Sequence, residues 1–375
     1  MDFSYSEEQQ MLQDSVSKFV AQDYDFDSRR KNIESDKGYS EAHWQLFADL
    51  GWLMVPFKET DGGIGGTAVD LAVVMEEFGK GIVIEPFLAN TVLAGGAIAE
   101  VGTDAQKESL LAPLMEGGLQ LALAFNEAQS RYNLADVATR AEKQGDDYVI
   151  NGQKAVVLNG EAAEKLVVVV RTAGNQHDKD GISLLLVDAN AEGVARNSYP
   201  TVDGFCAAEI TFNNVKTSAS HLIGEAGHAL PVIEKMLDRA TLAICAEAVG
   251  AMEVAYKKTV EYTKTRVQFG VPISKFQALQ HRMADMFTEY EQSRSILLMA
   301  AMQLDANNGV APKAVSAAKS RIGKAARLVG QEAVQIHGGI GVTDELDVGH
   351  FFKRLTTIQF MFGSTDFHTQ RFMNS

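Results

Sequence analysis

The chain has 375 residues but only two cysteines, Cys206 and Cys245, and seven prolines. Two thiols cannot build a disulfide framework, and neither sits in a CxxC or Cys/His zinc spacing. Their scarcity fits a reducing compartment. No apolar run approaches the ~18–20 residues that cross a bilayer, so no membrane span is expected. Positive charge is in short supply: 34 Lys and Arg face 49 Asp and Glu, a formal net charge of −15. That argues against a nucleic-acid binder, which needs a basic footprint. The start, MDFSYSEEQQ, is acidic at once and resembles neither a signal nor a transit peptide. The expectation is a cytoplasmic chain, complete at its start. The eight histidines show no HxxxH or HExxH spacing, and GxSxG is missing. Metal sites and hydrolytic triads therefore have little support.

What is present is ordinary for a globular protein: 46% apolar and 22% charged residues, with 32 glycines. The length suggests two or three domains. The charge is uneven. Residues 1–225 hold 17 basic and 35 acidic side chains, a balance of −18, and residues 226–375 hold 17 and 14, a balance of +3. An anionic phosphate ligand is better sought in the last third.

The texture changes twice along the chain. From Ser6 to about Met115 apolar residues recur at helix spacing, with Val16 and Phe19 in one stretch and Trp44 and Phe47 in another. A helix through Val69–Phe78 should end on Gly79 as its C′ glycine, and Thr103, Asp104 and Gln106 should open another. From about Gly117 to Ile223 short β-rich runs follow, among them LQLALAF, DYVINGQKAVVL, EKLVVVVRT and GISLLLVD. No helices of 10–15 residues separate them, so an antiparallel β domain is expected. Long helices then return, about 229–266, 275–307 and 312–337, with the FGVPI break between the first two. The expected domains are 1–117 helical, 118–225 β, and 226–375 a helical bundle.

Two glycine clusters, Gly62–Gly66 and Gly338–Gly341, lie between helices or after one. The dinucleotide fingerprint needs a strand before its glycines, so both read as turns on their own. More specific are Thr265–Met286, TRVQFGVPISKFQALQHRMADM, and Glu332–Thr343, EAVQIHGGIGVT. Arg266 at a helix break has the planar fork that suits a diphosphate. The glycines after Gln335 let a ligand approach the backbone.

These segments, read as RxQFGxPIxxFQxxQHxxADM and QIHGGIG, resemble the acyl-CoA dehydrogenase family in order and spacing. The SxEQQxLxxSVxxF start, the VPFKETDGGIGG region and DYVINGQKAVVLNG extend the resemblance over essentially the whole chain. AEAVGAM resembles the steroid- and dicarboxylate-type branch, such as pimeloyl-CoA dehydrogenase small subunits. The resemblance implies an α+β fold: an N-terminal helical domain, a middle antiparallel β domain and a C-terminal four-helix bundle. It implies FAD between the β domain and the bundle, with a neighbouring subunit completing the site. Arg266, Gln268, Phe269 and Gln277 would meet the diphosphate and adenine half across the dimer. Gln335, Gly338 and Gly339 would line the diphosphate, Ser364 and Asp366 would touch the adenosine half, and Asn126 would reach a flavin edge. Asp238 occupies a substrate-contacting position.

The departures matter as much. The family's Y-E-G-T segment carries the catalytic Glu; here the matching residues are Met361, Phe362, Gly363 and Ser364. Phe362 cannot take a proton, although its backbone N–H could still serve the thioester oxygen. The T-E-P-G-x-G-S loop is Asn126–Tyr132 here, and W-x-T is Val156-Val157-Leu158. Some members carry the base on the first helix of the C-terminal domain. There Glu247 lies three residues after Ile244, four before Ala251 and seven from both Ala240 and Val254, on the inward stripe. Small neighbours, Ala243, Ala246, Ala248 and Gly250, would leave room for a ligand, and desolvation would raise the carboxyl pKa, which suits a general base. The other reading of Glu247 is a buried helix carboxylate paired with an Arg or with backbone.

The expected function is FAD-dependent α,β-dehydrogenation of an acyl-CoA thioester. Glu247 would abstract the α proton, hydride would pass to flavin N5, and electron-transferring flavoprotein would be the electron acceptor. The assembly would be a homo- or heterotetramer with a homologous subunit, in a bacterial cytoplasm. The alternative is a non-catalytic or flavin-deficient subunit of an α2β2 acyl-CoA dehydrogenase; a flavin oxidase or monooxygenase on the same fold is a third possibility.

Overall fold

The computed structural model describes residues 5–306 and 309–375. The expected end of one helix at Asn307 lies outside the described residues. Helices α1 (Glu7–Gln22), α2 (Phe26–Ile33), α3 (Glu41–Asp49) and α4 (Ala68–Gly81) come first. A nine-residue π-helix, Phe87–Gly95, follows, then α5 (Gly96–Val101) and α6 (Asp104–Met115). The caps are legible chemistry. Ser6, Thr67 and Thr103 each accept from the backbone N–H three residues on, and Gln9, Asp70 and Gln106 reciprocate. These capping boxes satisfy donors that a helix start otherwise leaves unpaired.

Strands β1 (Leu121–Ala124), β2 (Arg140–Gln144), β3 (Asp147–Leu158), β4 (Lys165–Arg171), β5 (Ile182–Asp188), β6 (Val194–Pro200), β7 (Cys206–Ser218) and β8 (Leu222–Ile223) form one sheet. Its order is β6-β7-β3-β2-β4-β5-β8, with β1 added on β4. The sheet is mixed, not purely antiparallel. β1 runs parallel to β4, with Leu121 opposite Lys165 and Ala124 opposite Val168. The Val167–Val170 run of β4 is buried residue after residue. A continuous apolar run is what a strand covered on both faces needs, and such a strand accepts a parallel neighbour. Asn90 of the π-helix anchors β1: its amide donates to the Leu119 carbonyl at 3.1 Å and accepts from the Leu121 N–H at 2.9 Å. Ile150, Leu166, Val168, Leu185, Ile210 and Phe212 make up much of the core.

After β8 come α7 (Leu230–Thr265), a hairpin of β9 (Val267–Gln268) and β10 (Val271–Pro272), α8 (Gln277–Ala306), α9 (Ala311–His337), α10 (Val348–Phe360) and α11 (Thr365–Asn374). By internal packing the chain forms two compact units, each discontinuous in sequence. One contains the chain up to Lys31, Thr67–Val83 and Thr241–Ser375; the other contains Asn32–Gly66 and Ile84–Ala240.

In the first unit α4 lies directly on α7. A methyl group on Gly250 would stand 1.8 Å from the Glu76 carbonyl oxygen, and one on Gly79 would stand 2.0 Å from the Glu247 carbonyl oxygen. This corrects two expectations. Gly79 is not a helix cap: α4 runs on to Gly81 and ends at Ile82, which takes the left-handed conformation. The small residues of α7 do not all leave ligand space either, because the α4 backbone fills the place beside Gly250. Gly250→Ala should therefore cost about 1–3 kcal/mol through overpacking, read as a lowered urea midpoint.

Candidate functional site

Glu247 sits on the buried face of α7 with 3% of its surface exposed. Its carboxylate is not isolated among apolar side chains; it meets an arginine, the partner named in the second reading of the sequence. Arg354 of α10 grips it with both arms: Nε donates to Oε1 at 2.5 Å and Nη2 to Oε2 at 2.7 Å. Arg354 is itself buried. A bidentate guanidinium pair engages both carboxylate oxygens as acceptors. The pair takes one acceptor site on each oxygen and fixes where the carboxylate points. The geometry is that of a clamp between α7 and α10.

The Met361–Ser364 turn joins α10 to α11, and α9 holds it from two sides. Lys319, only 1% exposed, donates to the carbonyls of Ile358 and Gln359 at 2.6 and 3.2 Å. These carbonyls belong to the last turn of α10, which lacks intrahelical donors and carries the negative end of the helix dipole. Burial pushes the Lys319 ammonium down to about 8, against an opposing pull from Cys245. His368 of α11 reaches back to the Phe362 carbonyl at 3.1 Å and meets the Ser316 hydroxyl at 3.2 Å. Burial, aided by the Lys319 charge, lowers the His368 ring to about 4, so it is neutral at pH 7. Nε2–H then donates to the carbonyl and Nδ1 accepts from the hydroxyl. Phe362 has a φ of 56°, an uncommon conformation for a bulky residue. Ser364 uses its hydroxyl to cap α11 by accepting from the Phe367 N–H, and Asp366 is exposed in the first turn.

The segments expected to carry the diphosphate also lie in this unit. Phe269 and Gly270 form a two-residue turn with φ of 55° and 81°, a pairing that matches the twist of a hairpin. Phe269 is 91% exposed, and Arg266, Gln268 and Gln277 are exposed beside it. At the end of α9, Gln335, Gly338 and Gly339 are exposed as well. The two segments share one anchor. The Tyr262 ring stacks on His337 at 4.3 Å, and the Tyr262 hydroxyl donates to the His337 carbonyl at 3.3 Å. A Cβ on Gly338 or Gly339 would meet nothing within 4 Å, whereas one on Gly341 would stand 2.9 Å from the Val334 carbonyl oxygen. Gly341 is explained by packing inside the chain. Gly339 has no positive φ and, among the described residues, nothing within 4 Å of an added Cβ.

Asn126 and Asp238 belong to the second unit. Asp238 is buried on the first turns of α7. The Asn126 carbonyl accepts from the Ala155 N–H at 2.8 Å. The next residue, Glu127, is paired with Lys154, wholly buried on β3, which donates to its Oε1 at 2.6 Å. The Ala138 and Thr139 N–H groups also donate to the Glu127 carboxylate, at 2.9 and 3.1 Å. Val156, on the adjoining bulge of β3, is half exposed with a φ of 52°. A β-branched residue in that conformation is strained, and such strain tends to collect at ligand sites.

Arg354, Lys319, His368 and Lys154 are the residues that reading the sequence missed. A signal existed for two of them. Lys319 falls on the apolar stripe of Val315, Ile322 and Ala326, and Arg354 on that of Phe351, Leu355 and Ile358. Among the described residues no group of His, Cys, Asp and Glu could hold a metal ion, and no helix is long and apolar enough to cross a membrane.

Comparison with known proteins adds the family. Sequence profiles of the acyl-CoA dehydrogenase N-terminal, middle and C-terminal domains match residues 6–118, 122–215 and 227–374. The chain is 31% identical over 358 residues to a probable acyl-CoA dehydrogenase, YngJ, of Bacillus subtilis, covering 94% of this chain and 93% of that one. The structure of butyryl-CoA dehydrogenase from Megasphaera elsdenii superposes with a TM-score of 0.90 at 27% identity, over 100% and 99% of the two chains. A chain of the ChsE4-ChsE5 complex from Mycobacterium tuberculosis does so with a TM-score of 0.90 at 25% identity, over 100% and 98%. With all three domain profiles in order and near-complete coverage by relatives, this chain belongs to the acyl-CoA dehydrogenase family of FAD-dependent oxidoreductases that act on acyl-CoA.

Proposed function

We propose that this chain is one subunit of a mixed α2β2 assembly that dehydrogenates an acyl-CoA thioester between its α and β carbons, and that the homologous partner chain supplies the proton-abstracting carboxylate. The observation that carries this reading concerns two places where a carboxylate would be expected. Phe362 stands in one, and Glu247, in the other, is held by both oxygens on Arg354. The ChsE4-ChsE5 relative, named as a complex of two chains, supports the mixed assembly. The steroid- and dicarboxylate-type branch is the proposed setting, with electron-transferring flavoprotein as the electron acceptor.

FAD, when bound, supplies the hydride acceptor. The residues of this chain suit that group. Arg266, Gln268, Phe269 and Gln277 present a planar cation, two amides and an outward ring on an exposed hairpin and helix start. Open backbone at Gly338 and Gly339, next to Gln335, would let a diphosphate approach closely. Ser364 and Asp366 offer oxygen acceptors for an adenosine half, and Asn126 an amide for a flavin edge. Phe362 keeps a backbone N–H for a thioester oxygen, and Asp238 a carboxylate on the substrate helix; neither replaces the base.

Co-expression with a neighbouring homologue, followed by counting FAD per chain, tests the reading. Obligate co-purification with about one FAD for every two chains is expected. One FAD per chain in a homo-oligomer that oxidises acyl-CoA by itself would overturn it and return Glu247 to the role of base.

A further inference from the structure

Among the described residues, Lys319 has no carboxylate among its hydrogen-bond partners; it bonds two main-chain carbonyls at the end of α10. A buried ammonium is costly to desolvate, and this one is placed on two carbonyls just before the Phe362 turn. The other side of the turn is tied just as closely. Along one face of α9, Ser316 meets His368, the Ser320 and Thr369 hydroxyls lie 2.7 Å apart, and a methyl group on Gly323 would stand 2.6 Å from the Thr365 hydroxyl. Within the turn, a Cβ on Gly363 would stand 2.5 Å from His368 Nε2. Phe362 is thereby kept in a left-handed conformation that a free loop would leave. Strain of this kind persists only where the surroundings over-determine it, and it marks pre-organised ligand contacts.

We propose that Lys319 and His368 are positioning residues that fix the Phe362–Gly363 turn and, through it, the start of α11, so that Ser364 and Asp366 are held ready for the adenosine half of FAD. This rests on the flavin site proposed above. Lys319 sets where α10 stops, His368 sets the Phe362 peptide, and the two together fix the direction in which α11 leaves the turn. No bond is made or broken; the two residues act by holding Ser364 and Asp366 in place.

The test compares FAD with FMN, which lacks the adenosine half, by titrating flavin-depleted, co-purified protein and following flavin fluorescence. Wild type should bind FAD more tightly than FMN. Lys319→Met should lower the FAD-to-FMN affinity ratio by about tenfold, the size of one well-made hydrogen bond, with FMN affinity unchanged. Lys319→Arg, which keeps the cation, should restore the ratio. His368→Leu removes a neutral group and should lower the ratio in the same way, which decides the matter if Lys319→Met does not fold. Wild-type ratios in the folded variants would overturn the proposal, as would FAD and FMN affinities falling together, the mark of a merely structural role. A wild type that binds FAD and FMN equally would sink the flavin site beneath it instead.

Discussion

Replacing Glu247 by Ala should destabilise the protein by about 3–5 kcal/mol, because it strands the Arg354 guanidinium without its carboxylate in a buried site. The double variant Glu247→Leu with Arg354→Met should recover most of that loss. Two buried charges that are removed together forfeit their attraction but also their desolvation cost, and apolar replacements of similar size are often close to neutral. Urea unfolding of Glu247→Leu, Arg354→Met and the double variant closes the cycle. A coupling energy of several kcal/mol marks a structural clamp.

The same double variant decides the chemistry. Folded, loaded with FAD and assembled with its partner, it should turn over near the wild-type rate, because Glu247 is assigned to holding α7 against α10. A positioned base is commonly worth ~10²–10⁴-fold in rate. A fall of that size, with FAD content and urea midpoint unchanged, would mean that Glu247 takes the proton itself.

Local rules could reach a good part of this molecule. The three capping boxes, the long C-terminal helices and the buried run of β4 follow from residues adjacent in sequence or one helical turn apart. Glu247 was legible as a carboxylate on an inward stripe, and so were Lys319 and Arg354 as cations on theirs. What one stripe cannot reveal is which face it meets. Arg354 lies 107 residues from Glu247, and only the packing of α10 beside α7 turns two separate anomalies into one ion pair. Gly250 shows the same limit in a different form. Small residues on a helix leave a gap that either a ligand or another backbone can fill, and here the backbone of α4 fills it. The parallel pairing of β1 with β4 was hidden for a related reason, since strand direction depends on the path between strands and not on their composition. The exposed segments proposed for the flavin are the reverse case: their motifs stand out because, among the described residues, nothing lies within 4 Å of a Cβ on Gly339, and the Phe269 ring, edge-on to Phe276, is left 91% exposed.

Lys154→Met should destabilise the second unit by about 3–5 kcal/mol, as expected when a buried pair loses one member. It should also change how that unit responds to acid. Burial by itself would push the Glu127 carboxyl up. The Lys154 ammonium, together with bonds from Lys154, Gln129 and Thr139, outweighs burial and holds it down to about 2. A carboxyl whose folded value lies below its ordinary 4.5 adds stability that is fully present above pH 4.5 and is lost as pH falls toward 2. Burial lowers the Lys154 ammonium to about 8 against the pull of Glu127, so at neutral pH both members remain largely charged. Without Lys154 the remaining donors must hold the carboxylate alone, and the loss of stability on acidification should begin at higher pH. Thermal midpoints of wild type and Lys154→Met between pH 2 and pH 6 measure this, and superimposable acid limbs would show that Lys154 is not what keeps Glu127 ionised. The consequence for function lies one residue away. Lys154 also reaches the Phe125 carbonyl at 3.4 Å, and Ala155 holds the Asn126 carbonyl, so β3 pins both residues before Glu127. A variant that folds but releases this stretch should retain less FAD on gel filtration, because Asn126 would lose the backbone that presents it. Wild-type flavin retention in folded Lys154→Met would confine the pair to stability and remove Asn126 from the cofactor site.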